Sequence, residues 1–237
     1  MTTSQLDRMI PPEIRADRFC SWISRVAATP GVLHILEIGA SSGAGSTEAL
    51  VLGALRNPVR PVVHCLEISR PRFHALVERY RDHAFVHCYN CSSVPIEQFP
   101  DEAAIDAFRR RIWTRFRFIR RDTVLQWLRQ DIEYLRRHGL SLYGIRLVRE
   151  RHGIDCFDAV LIDGSEFSGP ADLDEVYGAR FLLLDDIMTY KNRDNYRRLL
   201  RDRDYALIAR SRWLRNGFAI FERAPDARPV RSRADAR

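Results

Sequence analysis

Apolar and polar positions fall into blocks of two kinds along this chain, and their order predicts alternating strands and helices. Short apolar runs stand at residues 34–38, 61–66, 84–90, 157–162 and 179–184, each ending in a glycine, an acid or a polar turn. Runs of that length, rich in Val, Leu, Ile and Phe, read as strands covered on both faces. Helix-forming stretches follow several of them, one carrying Glu48, Ala49, Leu50 and Leu52 and others over residues 71–81 and 193–202. Residues 205–211 and 217–222 read as paired strands joined through Arg215-Asn216-Gly217, a turn-favouring sequence. Ahead of the first strand, Ile14, Phe19, Trp22, Ile23 and Val26 form the apolar side of an amphipathic helix, which Pro30-Gly31 ends. Repeated strand–helix alternation implies a mostly parallel sheet with helices on both faces.

The most informative boundary is the end of the first strand. Glu37-Ile-Gly39 leads into Ala-Ser41-Ser-Gly43-Ala-Gly45-Ser46-Thr47 and then a helix. Three closely spaced glycines admit positive φ and close backbone approach, and Ser46 or Thr47 suits a helix N-terminus. The spacing is Gly-x-x-x-Gly-x-Gly. A dinucleotide-binding turn uses Gly-x-Gly-x-x-Gly, so an NAD-dependent oxidoreductase is disfavoured. The second strand ends in Glu67, 30 residues after Glu37. In a right-handed βαβ unit that carboxylate stands beside the first loop, where it can accept two ribose hydroxyl protons.

These residues resemble the first motif of the class I S-adenosylmethionine-dependent methyltransferases. The likeness is to the Glu-x-Gly-x-x-x-Gly-x-Ser form of the metal-dependent catechol-type O-methyltransferases and related sugar O-methyltransferases. It runs over residues 31–222, minus an insertion, and Leu66-Glu67-Ile68 matches the corresponding strand end. The resemblance implies an α/β, Rossmann-like, doubly wound and mostly parallel seven-stranded sheet with a closing antiparallel hairpin. It also implies S-adenosylmethionine as cofactor. Glu37, Gly39, Ser41, Gly43, Gly45, Ser46, Glu67 and Asp163 would hold it, with Asn90 and Ser92 after the third strand near the adenine.

Acids end the later strands as well: Asp163 after the fourth, and Asp185 with Asp186 after the fifth. Ligands of an open α/β sheet gather at the carboxyl ends of neighbouring strands, so the three carboxylates should converge. Three close carboxylates stay ionised only beside a cation, and hard oxygen ligands suit Mg²⁺. In the family that this chain resembles, an acid after the fourth strand and an Asp-Asn pair after the fifth hold magnesium; here Asp186 stands in place of the amide. The family lysine three residues after the fourth-strand acid is also missing, and that offset reaches Glu166. Glu166 is one candidate base. Lys191, the single lysine of the chain, is the other.

Residues 94–155 interrupt the alternation and read as a helical insertion. Within it, residues 108–121 hold seven arginines among six large apolar residues, with Phe108, Ile112, Phe116 and Ile119 at helical spacing. This stretch is open to three readings: a cap helix with a solvated cationic face, a surface recruiting an anionic substrate such as a sugar nucleotide, phosphorylated glycan or RNA, or an interfacial membrane helix. A second helix over residues 124–137 turns Trp127, Leu128, Ile132 and Leu135 inward and ends at Gly139.

With 237 residues, 46% hydrophobic and 29% charged, the chain fits one globular domain with an insertion. Its organisation reads as an N-terminal helical segment over 1–30, the main domain over 31–223 and a disordered basic tail over 224–237. The five cysteines are odd in number, and Cys88-x-x-Cys91 lacks a second pair at zinc-ribbon spacing. No apolar stretch has the length of a membrane span or the form of a signal peptide, so the expected location is the cytoplasm. The net charge of +7 licenses non-specific attraction to acidic partners only. His34, His64 and His87 sit in strands and read as packed residues.

The expected activity is O-methylation of a hydroxyl on a sugar or secondary metabolite, with a small-molecule or glycan acceptor and Mg²⁺ assisting. An RNA ribose methyltransferase recruited by its arginines, and a cofactor-fold scaffold without turnover, are the alternatives. Asp163-Gly-Ser-Glu166 is not the Asn/Asp-Pro-Pro-aromatic tetrapeptide of base-directed methyltransferases. A homo-oligomer is compatible with the chain, which does not fix its order.

Overall fold

The computed structural model describes residues 5–111 and 118–227. Strands β1 (His34–Ile38), β2 (Val62–Leu66), β3 (Val86–Tyr89), β4 (Ala159–Ile162), β5 (Phe181–Asp185), β6 (Tyr205–Ser211) and β7 (Phe218–Arg223) form one sheet in the order β3-β2-β1-β4-β5-β7-β6. The first five run parallel, and β7 enters antiparallel between β5 and β6. The helices are α1 (Arg18–Ala27), α2 (Ser46–Ala54), α3 (Arg70–Tyr80), α4 (Glu102–Arg111), α5 (Arg121–His138), α6 (Gly144–His152), α7 (Gly169–Val176) and α8 (Tyr190–Leu199).

Strand periodicity divides the core into two layers. Ile35, Ala159, Leu161, Phe181 and Leu183 face one layer with α1, α2 and α3. Leu36, Ile38, Val160, Ile162, Leu182 and Leu184 face the other, with α6, α7 and α8. Successive residues of each strand therefore bury on opposite faces, which is why the strands read as continuous apolar runs. Phe19 of α1 stacks on Phe218 at 4.5 Å between ring centroids, tying the N-terminal helix to the hairpin edge. Asp17 caps α1 through the backbone N–H of Cys20, at 2.8 Å.

The register fixes the site. Ile38 pairs with Leu66 on one side and Ile162 on the other, while Ile162 pairs with Leu184. The next residues, Gly39, Glu67, Asp163 and Asp185, therefore emerge at one level along the carboxyl edge. Between β1 and β4 the strand order reverses, and a crevice opens there.

The insertion contains α4, α5 and α6 and builds small cores of its own. Ile105, Phe108, Val124, Leu125 and Leu128 close over Phe167 and Tyr190, beyond the ends of β4 and β5. Gly139 ends α5 in the left-handed region at φ 65°, as its position predicted. The arginine-rich helix expected over 108–121 lies partly outside the described residues; α4 ends at Arg111 and α5 begins at Arg121. The helices depart from the sequence reading near the site. α7 was not expected, and α8 begins at Tyr190 rather than 193, which brings Lys191 and Asn192 into its first turn. Only residues 224–227 of the expected tail lie within the described residues, so the tail's disorder is outside what the structure describes. No helix among the described residues is long and apolar enough to cross a membrane.

Helices α1 and α2 meet at Gly53, where a Cβ would fall 2.3 Å from the Ser24 carbonyl oxygen and 2.7 Å from Ala27 Cβ. In an open helix, Gly→Ala stabilises by about 1 kcal/mol. Here overpacking reverses the sign, and Gly53→Ala is expected to destabilise by about 1–3 kcal/mol. Chemical denaturation should show a lower midpoint at unchanged slope; an equal or higher midpoint would mean that the helices do not approach this closely.

Candidate functional site

The crevice at the strand ends is a cleft of about 290 Å³. Its floor is the loop after β1. Gly39 sits at φ 91° with its α-carbon against the Asp163 backbone, so that a Cβ would stand 2.3 Å from the Asp163 carbonyl oxygen. Gly43, at φ 76°, faces α3 instead: a Cβ there would meet the Tyr80 ring at 2.6 Å, and Tyr80 donates its hydroxyl proton to the Gly43 carbonyl. Gly39, Ser41, Gly45 and Ser46 line the cleft, whereas Gly43 and Glu37 do not.

Glu37 lies beneath the loop, fully buried, and accepts the Thr47 hydroxyl proton at 2.6 Å. Burial raises its proton affinity, against hydrogen bonds from Ser46, Thr47 and Cys65. Glu67 lines the cleft and organises the loop. Its two oxygens accept the backbone N–H groups of Ser41 and Ser69, each at 2.7 Å. Each carboxylate oxygen has a second lone pair, so Glu67 retains acceptor capacity toward the cleft. Asn90 does not line the cleft; its amide donates to the carbonyls of Glu67 and Ile68 and braces that strand end. Ser92 and Ser93 do line it.

Asp163, Asp185 and Asp186 converge as the strand ends implied, with one oxygen of each lying within 4.8 Å of the others. They are already paired with cations. The Lys191 ammonium donates to Asp163 Oδ1 and Asp186 Oδ2, both at 2.8 Å. Arg215 reaches Asp185 at 3.2 Å and also pairs with Asp17 of the N-terminal segment. Burial works against charge on Asp186, but the Lys191 ammonium outweighs it and holds this carboxyl below its ordinary range. Burial, then the neighbouring Asp163 and Asp186, push Asp185 up to about 8. Burial opposes the Lys191 charge as well, and the surrounding acids overcome it, so that its proton is held more tightly than that of a free lysine.

The ammonium is held in place from behind. Asn192 donates its amide to the carbonyls of Ile162 and Asp185, at 2.9 and 2.6 Å, stitching the first turn of α8 to the ends of β4 and β5. Glu166 accepts the Lys191 backbone N–H at 3.1 Å, and burial pushes its carboxyl up to about 7. Glu166 is not part of the cleft lining, whereas Lys191 is.

Two contributors escaped the sequence reading. The segment before α1 lines the cleft through Ile10, Pro11, Pro12, Glu13 and Ile14. Asp131, on α5, also lines it and accepts the Ser165 hydroxyl proton at 2.6 Å. Burial pushes its carboxyl up to about 6. Asp131 was legible only as a polar position on an otherwise inward-facing helix, near Leu128 and Ile132. Of the arginines around the insertion, Arg121 pairs with Asp106 and Glu102, Arg129 with Glu102, and Arg111 with Asp194.

No protein-family model matches the chain. No curated protein matches it either. Solved structures do. An O-methyltransferase from Bacillus cereus in complex with S-adenosylhomocysteine aligns over 90% of this chain and 84% of its own, with a TM-score of 0.56 at 13% identity. A methyltransferase from Geobacter sulfurreducens aligns over 89% and 82%, with a TM-score of 0.51 at 11% identity. Identity this low establishes architecture alone: the chain has the Rossmann-like fold of these methyltransferases.

Proposed function

We propose that the chain is an S-adenosylmethionine-dependent O-methyltransferase acting on a hydroxyl of a sugar or secondary metabolite. The observation that carries the reading is Glu67, a cleft-lining carboxylate with spare acceptor capacity, hydrogen-bonded to the loop that Gly39 allows to turn. Its two oxygens suit a ribose diol. Ser92 and Ser93 suit the edge of an adenine, and the backbone of residues 39–46 suits the methionine portion. When bound, the cofactor supplies a methyl group on a sulfonium, which an oxygen lone pair can take as the C–S bond breaks. The protein's tasks are then alignment and removal of the hydroxyl proton.

Asp131 fits the second task better than either base read from the sequence. It faces the cleft, and its raised proton affinity brings it nearer to working pH while leaving it mostly ionised at neutrality. Glu166 is turned to the Lys191 backbone, and Lys191 is locked as a cation between two carboxylates. Ser165 holds Asp131 in place. The magnesium expected from the acids competes with Lys191 for oxygens of Asp163 and Asp186. With the ammonium seated, these residues do not fit a divalent ion. In the arginine-rich stretch behind the RNA reading, Arg111 and Arg121 are paired with the protein's own acids, and residues 112–117 lie outside the described residues.

Glu67→Gln keeps size but removes a charged acceptor, worth about 1.5–3 kcal/mol. Calorimetry should show S-adenosylhomocysteine binding weakened about 10- to 100-fold, a factor of ten per 1.4 kcal/mol. Unchanged affinity would move the cofactor away from this strand end. Asp131→Asn should lower kcat by about 10²–10⁴-fold while cofactor affinity holds. In the wild type, kcat/KM should fall below pH of about 6, as Asp131 takes up its proton, and be level above it. The Asn variant should lack that limb. A variant with wild-type kcat, or one that retains the limb, would exclude Asp131 as the base.

A further inference from the structure

We propose that the Lys191 ammonium is the resident cation of this acidic centre, standing where a divalent metal would otherwise be required. The inference rests on the methyltransferase reading for its catalytic meaning, but its geometry is independent of that reading. One nitrogen lies 2.8 Å from oxygens of both Asp163 and Asp186, the two members of the acid trio that line the cleft. The third member, Asp185, is buried away from the cleft lining and held by Arg215. A metal reaching the trio would have to take oxygens from two ion pairs whose cations are part of the chain.

The placement is built rather than incidental. Lys191 is 7% exposed and sits in the first turn of α8, fixed by Asn192 to two strand ends. Gly169 lies directly against it: a Cβ there would fall 1.8 Å from the Lys191 carbonyl oxygen. Asp186 adopts φ 54°, a left-handed conformation that is uncommon for a residue with a side chain, and from it reaches the ammonium. Displacing the lysine would cost its ammonium both carboxylate partners.

An ammonium has three donors, and the two carboxylates use two. The third is directed to the acceptor substrate: it donates to the hydroxyl oxygen, orients a lone pair toward the methyl group and stabilises negative charge as Asp131 removes the proton. A preorganised cation beside the reacting oxygen is an effective stabiliser of a developing anion. The substrate class this favours is a hydroxyl reached by one point charge. A vicinal diol chelating a metal would have no counterpart here. Lys191 is thus a catalytic residue that acts electrostatically on the reacting oxygen rather than as a base.

The test is a titration of the full chain with Mn²⁺, followed by electron paramagnetic resonance and calorimetry, with and without S-adenosylhomocysteine. The wild type should show no stoichiometric site up to millimolar Mn²⁺. Lys191→Ala, which leaves the carboxylates and opens the space, should acquire one site that binds at least tenfold more tightly. Should that variant fail to fold, the wild-type titration decides alone. Stoichiometric micromolar Mn²⁺ binding by the wild type, or a folded Lys191→Ala chain with no gain in affinity, would overturn the proposal. Heat from S-adenosylhomocysteine is read separately, so failure of the cofactor reading is visible without altering the metal result.

Discussion

Burying several acids at adjacent strand ends is the constraint on which this site depends. Asp163, Asp185 and Asp186 reach one point because the register of β4 and β5 leaves them no other place to emerge. Removed from water and set beside one another, like charges repel strongly, and such a cluster is relieved by cations at contact distance and by protons, as at Asp185, whose carboxyl is pushed up to about 8. The chain supplies the cations. Lys191 comes from the next helix and Arg215 from the hairpin turn, each in a backbone setting shaped for the purpose. Arg215 lies at φ 52°, and α8 starts early enough to place Lys191 inward.

That electrostatic knot joins parts of the molecule that are distant in sequence. Arg215 links the β5 end to Asp17, the cap of α1, so the hairpin, the sheet edge and the N-terminal helix share one guanidinium. The residues just before α1 then form a wall of the cleft. On the other side, Phe167 and Tyr190 flank the knot and carry the core of the insertion, whose α5 delivers Asp131. Substrate-facing groups thus come from the loop after β1, the strand ends and the insertion, all positioned by a rigid parallel sheet.

Most of the fold was legible because its signals are local. Continuous apolar strands, the glycine turn and the hairpin turn each state their structure within a few residues, and the family resemblance implied the seven-stranded sheet with its closing hairpin. Glu67 and the three acids were legible because strand ends in such sheets converge. What sequence could not reveal was partner choice. Lys191 was visible as a singular residue, but a base, a metal-site neighbour and an internal counter-ion look alike until α8 is placed. Glu37 and Gly43 carry the expected motif yet face inward, toward Thr47 and Tyr80, because the motif serves loop packing as well as any ligand. Asp131 belongs to the insertion, whose docking against the sheet is a tertiary event without a local signature.

Because Lys191 is the single lysine, ¹⁵N-lysine labelling puts one probe into the whole protein. A two-dimensional ¹H–¹⁵N spectrum of the side-chain ammonium tests directly whether that group is the site's cation. The account predicts one resolved ammonium resonance, protected from rapid exchange with water and unmoved when Mg²⁺ is added. A signal lost to exchange, or one that shifts on titration with Mg²⁺, would mean that the carboxylates take a metal instead, contradicting the account.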